Sequence, residues 1–382
     1  MKAGWKQEKL GDVCDIIMGQ SPDGKSYNSV GQGVPLINGP VEFSNGSFGE
    51  TVRTKFTTQP TKLCKEGDLI LCVRGSTTGR MNIAGFDACI GRGVAAIRAK
   101  QFQPWINYFV SSKRDEIHGK GTGATFPNVS GTMLANFELL MPPLPEQQRI
   151  VAILDEAFEA IAAARANAEQ NRQNARALLE SYLQSVFSQR GDGWAEKPLE
   201  KIAVFSQGIQ VGLGNQSTEM TDGMVRFIRI VDYTQQTKDV RFIQDPGHRY
   251  WVTETDIVMV RYGTPGLIGR GIAGVIANNL FKISVSECVV SNDYLSFFLG
   301  QSDIQHYLAT QGSSTMPALT FKQLGKVAIA YPQNKLEQAK IVHQVKDMLD
   351  KTKRLEFLYQ RKIAALDELK QSLLQQAFSG QL

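Results

Sequence analysis

Residues about 190 positions apart in this 382-residue chain match in the same order from one end to the other, and such a duplication restricts the fold to two copies of one architecture. Trp5 and Leu10 correspond to Trp194 and Leu199. The apolar run Asp68-Leu-Ile-Leu-Cys-Val-Arg74, followed by Gly75-Ser-Thr77, corresponds to Asp256-Ile-Val-Met-Val-Arg261, followed by Tyr262-Gly-Thr264, with one residue slipped so that Arg74 meets Arg261. The stretch from Gly123 to Pro142 returns as Ser313 to Pro332. Glu146-Gln147 and Ile150-Val151 return as Glu337-Gln338 and Ile341-Val342, while Leu183-Gln184 and Phe187-Ser188 return as Leu374-Gln375 and Phe378-Ser379. The tetrapeptide IGRG occurs at Ile90 to Gly93 and at Ile268 to Gly271, but it is out of register and is set aside.

Each repeat has two parts. Residues 1–145 and 191–334 are rich in Gly, Thr, Asn and short β-branched runs, which predicts short strands joined by turns and long loops. Helical patches near Trp105 to Ile117 and Asp293 to Leu308 make these parts mixed rather than all-β. Residues 146–190 and 335–382 read as helices that start after proline stops. No Pro or Gly interrupts Glu146 to Gln189, so one helix about 65 Å long is expected. Leu154, Phe158, Ile161 and Leu179 on the first helix, and Met348, Leu355, Leu366 and Leu373 on the second, follow a seven-residue pattern. Connectivity makes the two helices antiparallel if they pair. The predicted fold class is α+β: two mixed α/β domains joined by two long antiparallel helices that form a coiled coil, with a pseudo-two-fold internal repeat.

Composition narrows the chemistry. The longest apolar runs fall far short of the roughly 20 residues of a membrane-spanning helix, and the N-terminus lacks an apolar signal core, so a cytoplasmic chain without a membrane partner is expected. Five cysteines without a CxxC pair argue for reduced thiols, and four scattered histidines give no metal site. No GxGxxG opens a helix after a strand, and there is no GxSxG elbow and no HExxH, so no catalytic residue is assigned. Net charge is only +5; residues 1–145 carry 16 basic and 12 acidic side chains, against 12 and 13 in residues 191–334. Bulk charge therefore permits nucleic acid without requiring it.

The loops carry the remaining signal, because arginine forks suit phosphates and guanine edges, and amides suit adenine. In the first repeat the candidates are Arg74, Thr77, Thr78 and Arg80 after the apolar strand, then Arg92, Lys120 and Thr122. In the second they are Arg261, Tyr262, Thr264, Arg270, Gln311 and Ser313. Asp68 and Asp256 are expected to shape their strands rather than to touch a ligand.

This organisation resembles the specificity subunit of a Type I restriction-modification enzyme. The resemblance covers the whole chain. It rests on the alternation of two globular parts with two helices, on Met141-Pro-Pro-Leu-Pro-Glu-Gln-Gln-Arg-Ile-Val151, on Gly19-Gln-Ser-Pro22, and on the two arginine-bearing strand ends. The second copy departs from it at Tyr331-Pro-Gln-Asn-Lys-Leu-Glu-Gln338, which has one proline where the first has three. It implies a non-catalytic chain in which residues 1–145 and 191–334 are target-recognition domains, each reading one half of a bipartite double-stranded DNA site. The helices would set the spacer between half-sites, with half-site centres roughly 34 Å apart, and dock two methyltransferase (modification) subunits and the restriction/translocase subunits. S-adenosylmethionine, ATP and Mg would belong to those partners, with no cofactor in this chain. The alternative is a coiled-coil adaptor carrying two protein-binding modules.

Overall fold

The structure is a computed structural model that describes residues 4–46, 48–120, 128–235, 238–310 and 318–382. Four of its helices organise the rest: α1 (Gln103–Ser112), α2 (Leu144–Ser188), α3 (Asn292–Leu299) and α4 (Lys335–Ser379). The chain divides into two compact units, unit 1 comprising residues 1–168 and 361–382, and unit 2 comprising residues 169–360.

In unit 1 a four-stranded antiparallel sheet has the order Cys14–Met18, Val94–Ala99, Leu69–Cys72, Met81–Ile83. Its central strand Leu69–Cys72 is buried at every position. A strand that is apolar on both faces must be covered on both faces, and it is. Leu69 and Leu71, with Ala95 and Ile97, face a core shared with α1 and the long helices. Ile70 and Cys72, with Val94 and Ala96, face Ile37, Cys64 and Ile90 of a second sheet. That second sheet contains a parallel pair, Val34–Ile37 beside Ala88–Ile90. Unit 2 repeats the scheme with Ile257–Val260 in the centre. Ile257 and Met259 turn toward the helices, and Val258 and Val260 toward Ile228 and Ile276 of a second four-stranded sheet.

The proline stops and the Glu-Gln repeats have a shared purpose. Gln147, buried in the first turns of α2, donates from Nε2 to the carbonyl of Pro142 at 2.8 Å. Gln338 of α4 does the same to Pro332 at 2.7 Å. Each amide satisfies a carbonyl at the strand-to-helix junction that would otherwise be buried without a partner.

Within unit 1, Arg165 of α2 pairs with Asp367 of α4 at 3.3 Å, and the Lys370 ammonium lies 5.0 Å from the Phe158 ring. Within unit 2, Arg172 meets Gln360 at 2.9 Å, and Arg176 pairs with Glu356. Partner numbers fall on α4 as they rise on α2, so the helices run antiparallel. On α2, Leu154, Ile161, Ala168 and Ala175 are buried, and Phe158 and Leu179 are half-buried. On α4 the buried line is Val345, Thr352, Ile363, Leu374 and Ala377, flanked by half-buried Met348, Leu366 and Leu373. Leu355 departs from the expected seam. It is 41% exposed because two successive four-residue steps, Met348 to Thr352 to Glu356, carry the inward face one position past it.

Each core is closed by an aromatic ring from a helix end. In unit 1, Phe378 of α4 packs at 4.7 Å from Trp105 and 5.6 Å from Phe109 of α1. In unit 2, Phe187 of α2 packs at 5.2 Å from Tyr294 and 5.9 Å from Phe298 of α3. The helix of the first repeat therefore completes the core of unit 2, and the helix of the second repeat completes that of unit 1.

Phe378→Ala is expected to cost about 2–3 kcal/mol, less than for a fully buried ring. Hydrogen exchange should accelerate in α1 for Phe378→Ala and in α3 for Phe187→Ala, the reverse of the assignment by sequence proximity. Of the five cysteines, Cys14, Cys64, Cys72 and Cys89 are buried and Cys288 is exposed. Burial pushes the Cys14 thiol up to about 12 and those of Cys64 and Cys72 to about 11, from an ordinary value of 9.0. Titration with a thiol reagent at pH 8 should modify one cysteine rapidly in the folded chain and five after denaturation.

Candidate nucleic-acid interface

In unit 1 the strand Leu69–Cys72 continues through Val73 and Arg74 into a tight turn, Gly75–Thr77, before the chain returns as Met81–Ile83. Gly75 takes the left-handed conformation, with φ 78°, that the turn requires. Three backbone contacts fix its base: Val73 N–H donates to the carbonyl of Gly93 at 2.9 Å, Arg74 bridges Asn128, and Arg80 accepts from Cys72 N–H at 2.7 Å. Thr78 is buried and staples the turn through a 2.8 Å hydrogen bond to Gly75, and Thr77 is half-buried. The threonines shape the loop, and the arginines project from it.

Arg74 and Arg92 come together. They line one cleft of about 600 Å³ with Ser21, Tyr27 and Asn38. Both are exposed, and among the described residues neither guanidinium has a carboxylate partner. Arg92 is placed by its own N–H, which donates to Ser21 Oγ at 3.2 Å. Asn38 is placed by buried Glu42, whose carboxylate accepts from the amides of Asn38 and Gly39 at 3.1 and 3.2 Å. A side chain at Gly91 would put its Cβ 1.8 Å from Asn38 Oδ1, so only glycine lets the two loops meet there. Arg80 stands apart, lining a smaller concavity of about 190 Å³ with Ser44, Asn45 and Arg114.

Unit 2 repeats the base of this turn and its opening glycine, and corrects the register. Gly263 has φ 85° where Gly75 has 78°, and the interval from Asp256 to Gly263 equals that from Asp68 to Gly75, so no residue is slipped. Arg261 N–H donates to the carbonyl of Asn279 at 2.9 Å, as Val73 does to Gly93, and Tyr262 bridges Ala318 as Arg74 bridges Asn128. Arg261 thus occupies the place of Val73, and Tyr262 that of Arg74. The Arg261 guanidinium lies 4.9 Å from the Tyr262 ring. By the same hydrogen-bond register Asn278 occupies the place of Arg92, because Ala277 N–H bonds Ile228 as Gly91 N–H bonds Ile37, both at 2.9 Å. Sequence reading missed Asn38 and Asn278. The signal available was their position after short apolar runs, which becomes informative only once the parallel strand pairs are known.

Thr264 is exposed on this turn, but Arg270 is not displayed as its sequence position suggested. Its guanidinium pairs with Asp293 at 2.7 Å and donates to Ser296 Oγ at 3.0 Å and to the carbonyl of Thr255 at 2.9 Å, tying a strand end to α3. Asp293 also takes Lys346 of α4 at 2.5 Å. Burial works against the Asp293 carboxylate, but Lys346 and Arg270 outweigh it and hold the group below its ordinary value of 3.8. Asp68 and Asp256 serve the fold: each accepts the N–H three residues before it, Lys65 and Thr253, at 2.7 Å, and each pairs with a basic side chain of the neighbouring strand, Arg98 at 2.7 Å and Lys282 at 2.9 Å. Thr122, Gln311 and Ser313 lie outside the described residues, as does the side chain of Lys120, which ends a short helix. Among the described residues no group of three His, Cys, Asp or Glu side chains could hold a metal ion.

Comparison with known proteins agrees with this architecture. Residues 2–170 match the Type I restriction modification DNA specificity domain. A protein of Methanocaldococcus jannaschii named for the specificity subunit of a type I restriction enzyme, MjaX, is 34% identical over 171 residues, 44% of this chain and 39% of its own length. The StySPI specificity subunit of Salmonella potsdam is 21% identical over 99% of this chain and 89% of its own. A chain from a solved type I R-M system, described for its complex assembly and conformational transition, superposes with a TM-score of 0.84 at 20% identity, covering 100% of this chain and 99% of that one. The HsdS subunit of Thermoanaerobacter tengcongensis gives 0.64 at 20% identity, covering 100% and 98%. The fold is a duplicated architecture of two sheet-rich parts and two long helices. The match to the DNA specificity domain lies in the first part of the chain, and over its whole length the chain has the fold of these solved subunits.

Arg270→Ala should lower the stability of unit 2 by about 1 kcal/mol, the scale of a partly exposed ion pair with hydrogen bonds. Because the Asp293 carboxyl is held low, its contribution is present above pH 4 and is lost as pH falls below its ordinary value. Acid unfolding of Asp293→Asn should lack that increment, as measured by urea denaturation at pH 3 and pH 6.

Proposed function

We propose that this chain is the DNA-reading subunit of a Type I restriction-modification system, each unit reading one half of a bipartite double-stranded site. One observation carries the reading. Two units hold the base of a turn and the loop beside it with the same backbone hydrogen bonds, and open the turn with a left-handed glycine, yet carry different side chains there: Arg74 and Arg92 in one, Tyr262 and Asn278 in the other. A duplicated scaffold with divergent display suits the reading of two different half-sites, because base edges are told apart by hydrogen-bond pattern.

In this reading the chain has no active site. Two modification subunits bring S-adenosylmethionine, restriction subunits bring ATP and Mg, and the complex works in the cytoplasm. Among the described residues no helix is long and apolar enough to cross a membrane. Partner docking falls to the long helices, where Leu355, Phe357 and Leu358 of α4 are exposed apolar side chains. The coiled-coil adaptor reading is not favoured, since it gives no reason for the divergent turns and the relatives are specificity subunits.

The chain alone should transfer no methyl group, and with its modification subunits it should direct methylation to one asymmetric sequence. Exchanging residues 1–145 for those of a relative should change one half of the methylated sequence and leave the other intact. Methyl transfer by the chain alone, or a sequence unchanged by the exchange, would overturn the proposal.

A further inference from the structure

Building on the reading of this chain as a DNA-specificity subunit, we infer that the Arg74–Arg92 cleft of unit 1 selects guanine, and that the matching surface of unit 2, presented by Asn278, selects adenine.

The first ground is geometric. Arg74 and Arg92 leave two different loops and meet at one cleft, and each backbone is held by hydrogen bonds: Arg74 by its bridge to Asn128, and Arg92 by Ser21 Oγ. A side chain anchored at its root and free at its tip is organised for an external partner. Among the described residues no carboxylate neutralises either guanidinium, whereas Arg98 and Arg270, also in or beside strands, are fully committed to Asp68 and Asp293. The unit thus distinguishes arginines that hold the fold from arginines it leaves open.

The second ground is the comparison between repeats. If Arg92 served the fold, the same backbone position in unit 2 would need equivalent chemistry, since the surrounding hydrogen bonds are the same. Instead the position carries Asn278, and that of Arg74 carries Tyr262. A phosphate contact would also be expected in both units, because the backbone of DNA is the same at both half-sites. Replacement of a five-donor fork by an amide alters what can be recognised. An arginine fork matches the O6 and N7 acceptors of guanine, and an asparagine amide matches the N6 donor and N7 acceptor of adenine. Asn278 is half-buried and donates from Nδ2 to Gln210 Oε1 at 3.2 Å, which orients the amide.

The test uses the full chain assembled with its modification subunits, reading the methylated sequence and the rate at every single-base variant of the site. Arg92→Ala and Arg74→Ala should each lower discrimination at a guanine in one half-site by about tenfold or more, leaving the other half-site unchanged. Asn278→Ala should do so at an adenine in the other half-site. Arg92→Lys, which keeps the charge but loses the fork, should restore binding without restoring discrimination. Melting temperatures of the variants should match the unaltered chain, separating recognition from folding. Weakening that is uniform across all sequences would assign these residues to phosphates and overturn the inference, as would relaxation at any other base or an unchanged specificity. A complex of the unaltered chain that methylated without sequence preference would instead remove the underlying reading of the chain as a specificity subunit.

Discussion

The packing of Phe378 on Trp105 and Phe109, and of Phe187 on Tyr294 and Phe298, is the interaction on which the two units depend. Each ring arrives at the end of a 45-residue helix that began in the other unit. Aromatic contacts of this kind add about 0.5–1.5 kcal/mol beyond the area they bury, against a net stability of about 5–15 kcal/mol for a domain. A repeat cut after its own helix would lack the ring that closes its core. The duplication is therefore not two domains in series but a reciprocal completion of two cores.

Between those ends the helices are held by their apolar line, not by their charges. The pairs Arg165–Asp367 and Arg176–Glu356 are largely exposed, and pairs of that kind contribute about 0.2–1 kcal/mol. Their value is in alignment: with Arg172–Gln360 they meet in strict antiparallel order, which a shift by one turn would break. The shift in pattern at Thr352 and Glu356 shows the same balance, since a buried threonine and a charged partner replace a leucine that the period alone would have placed inside.

Much of the fold was legible because burial imposes periodicity. The apolar run Leu69 to Val73 announced a strand, and the absence of Pro and Gly after Glu146 announced the first long helix. The site was less legible, for a specific reason. Alignment by residue type matched Arg74 to Arg261, whereas backbone hydrogen bonds place Arg261 where Val73 stands and Tyr262 where Arg74 stands. Like residues attract one another in an alignment, but a surface that must differ between repeats is where like residues should not coincide. Arg270 misled in the same way: its loop position suggested display, and only the approach of Asp293 from α3 shows that it is spent on structure.

The sequence by itself determined the duplication, the alternation of sheet-rich parts with long helices, and the places where loops could carry polar chemistry, because these follow from composition and periodicity along the chain. Tertiary structure alone decided which helix end closes which core, that Arg74 and Arg92 share a cleft with Asn38, and that Leu355 faces outward. Those outcomes depend on contacts between segments far apart in the chain, where backbone hydrogen bonds and packing, rather than residue identity, set which side chains meet.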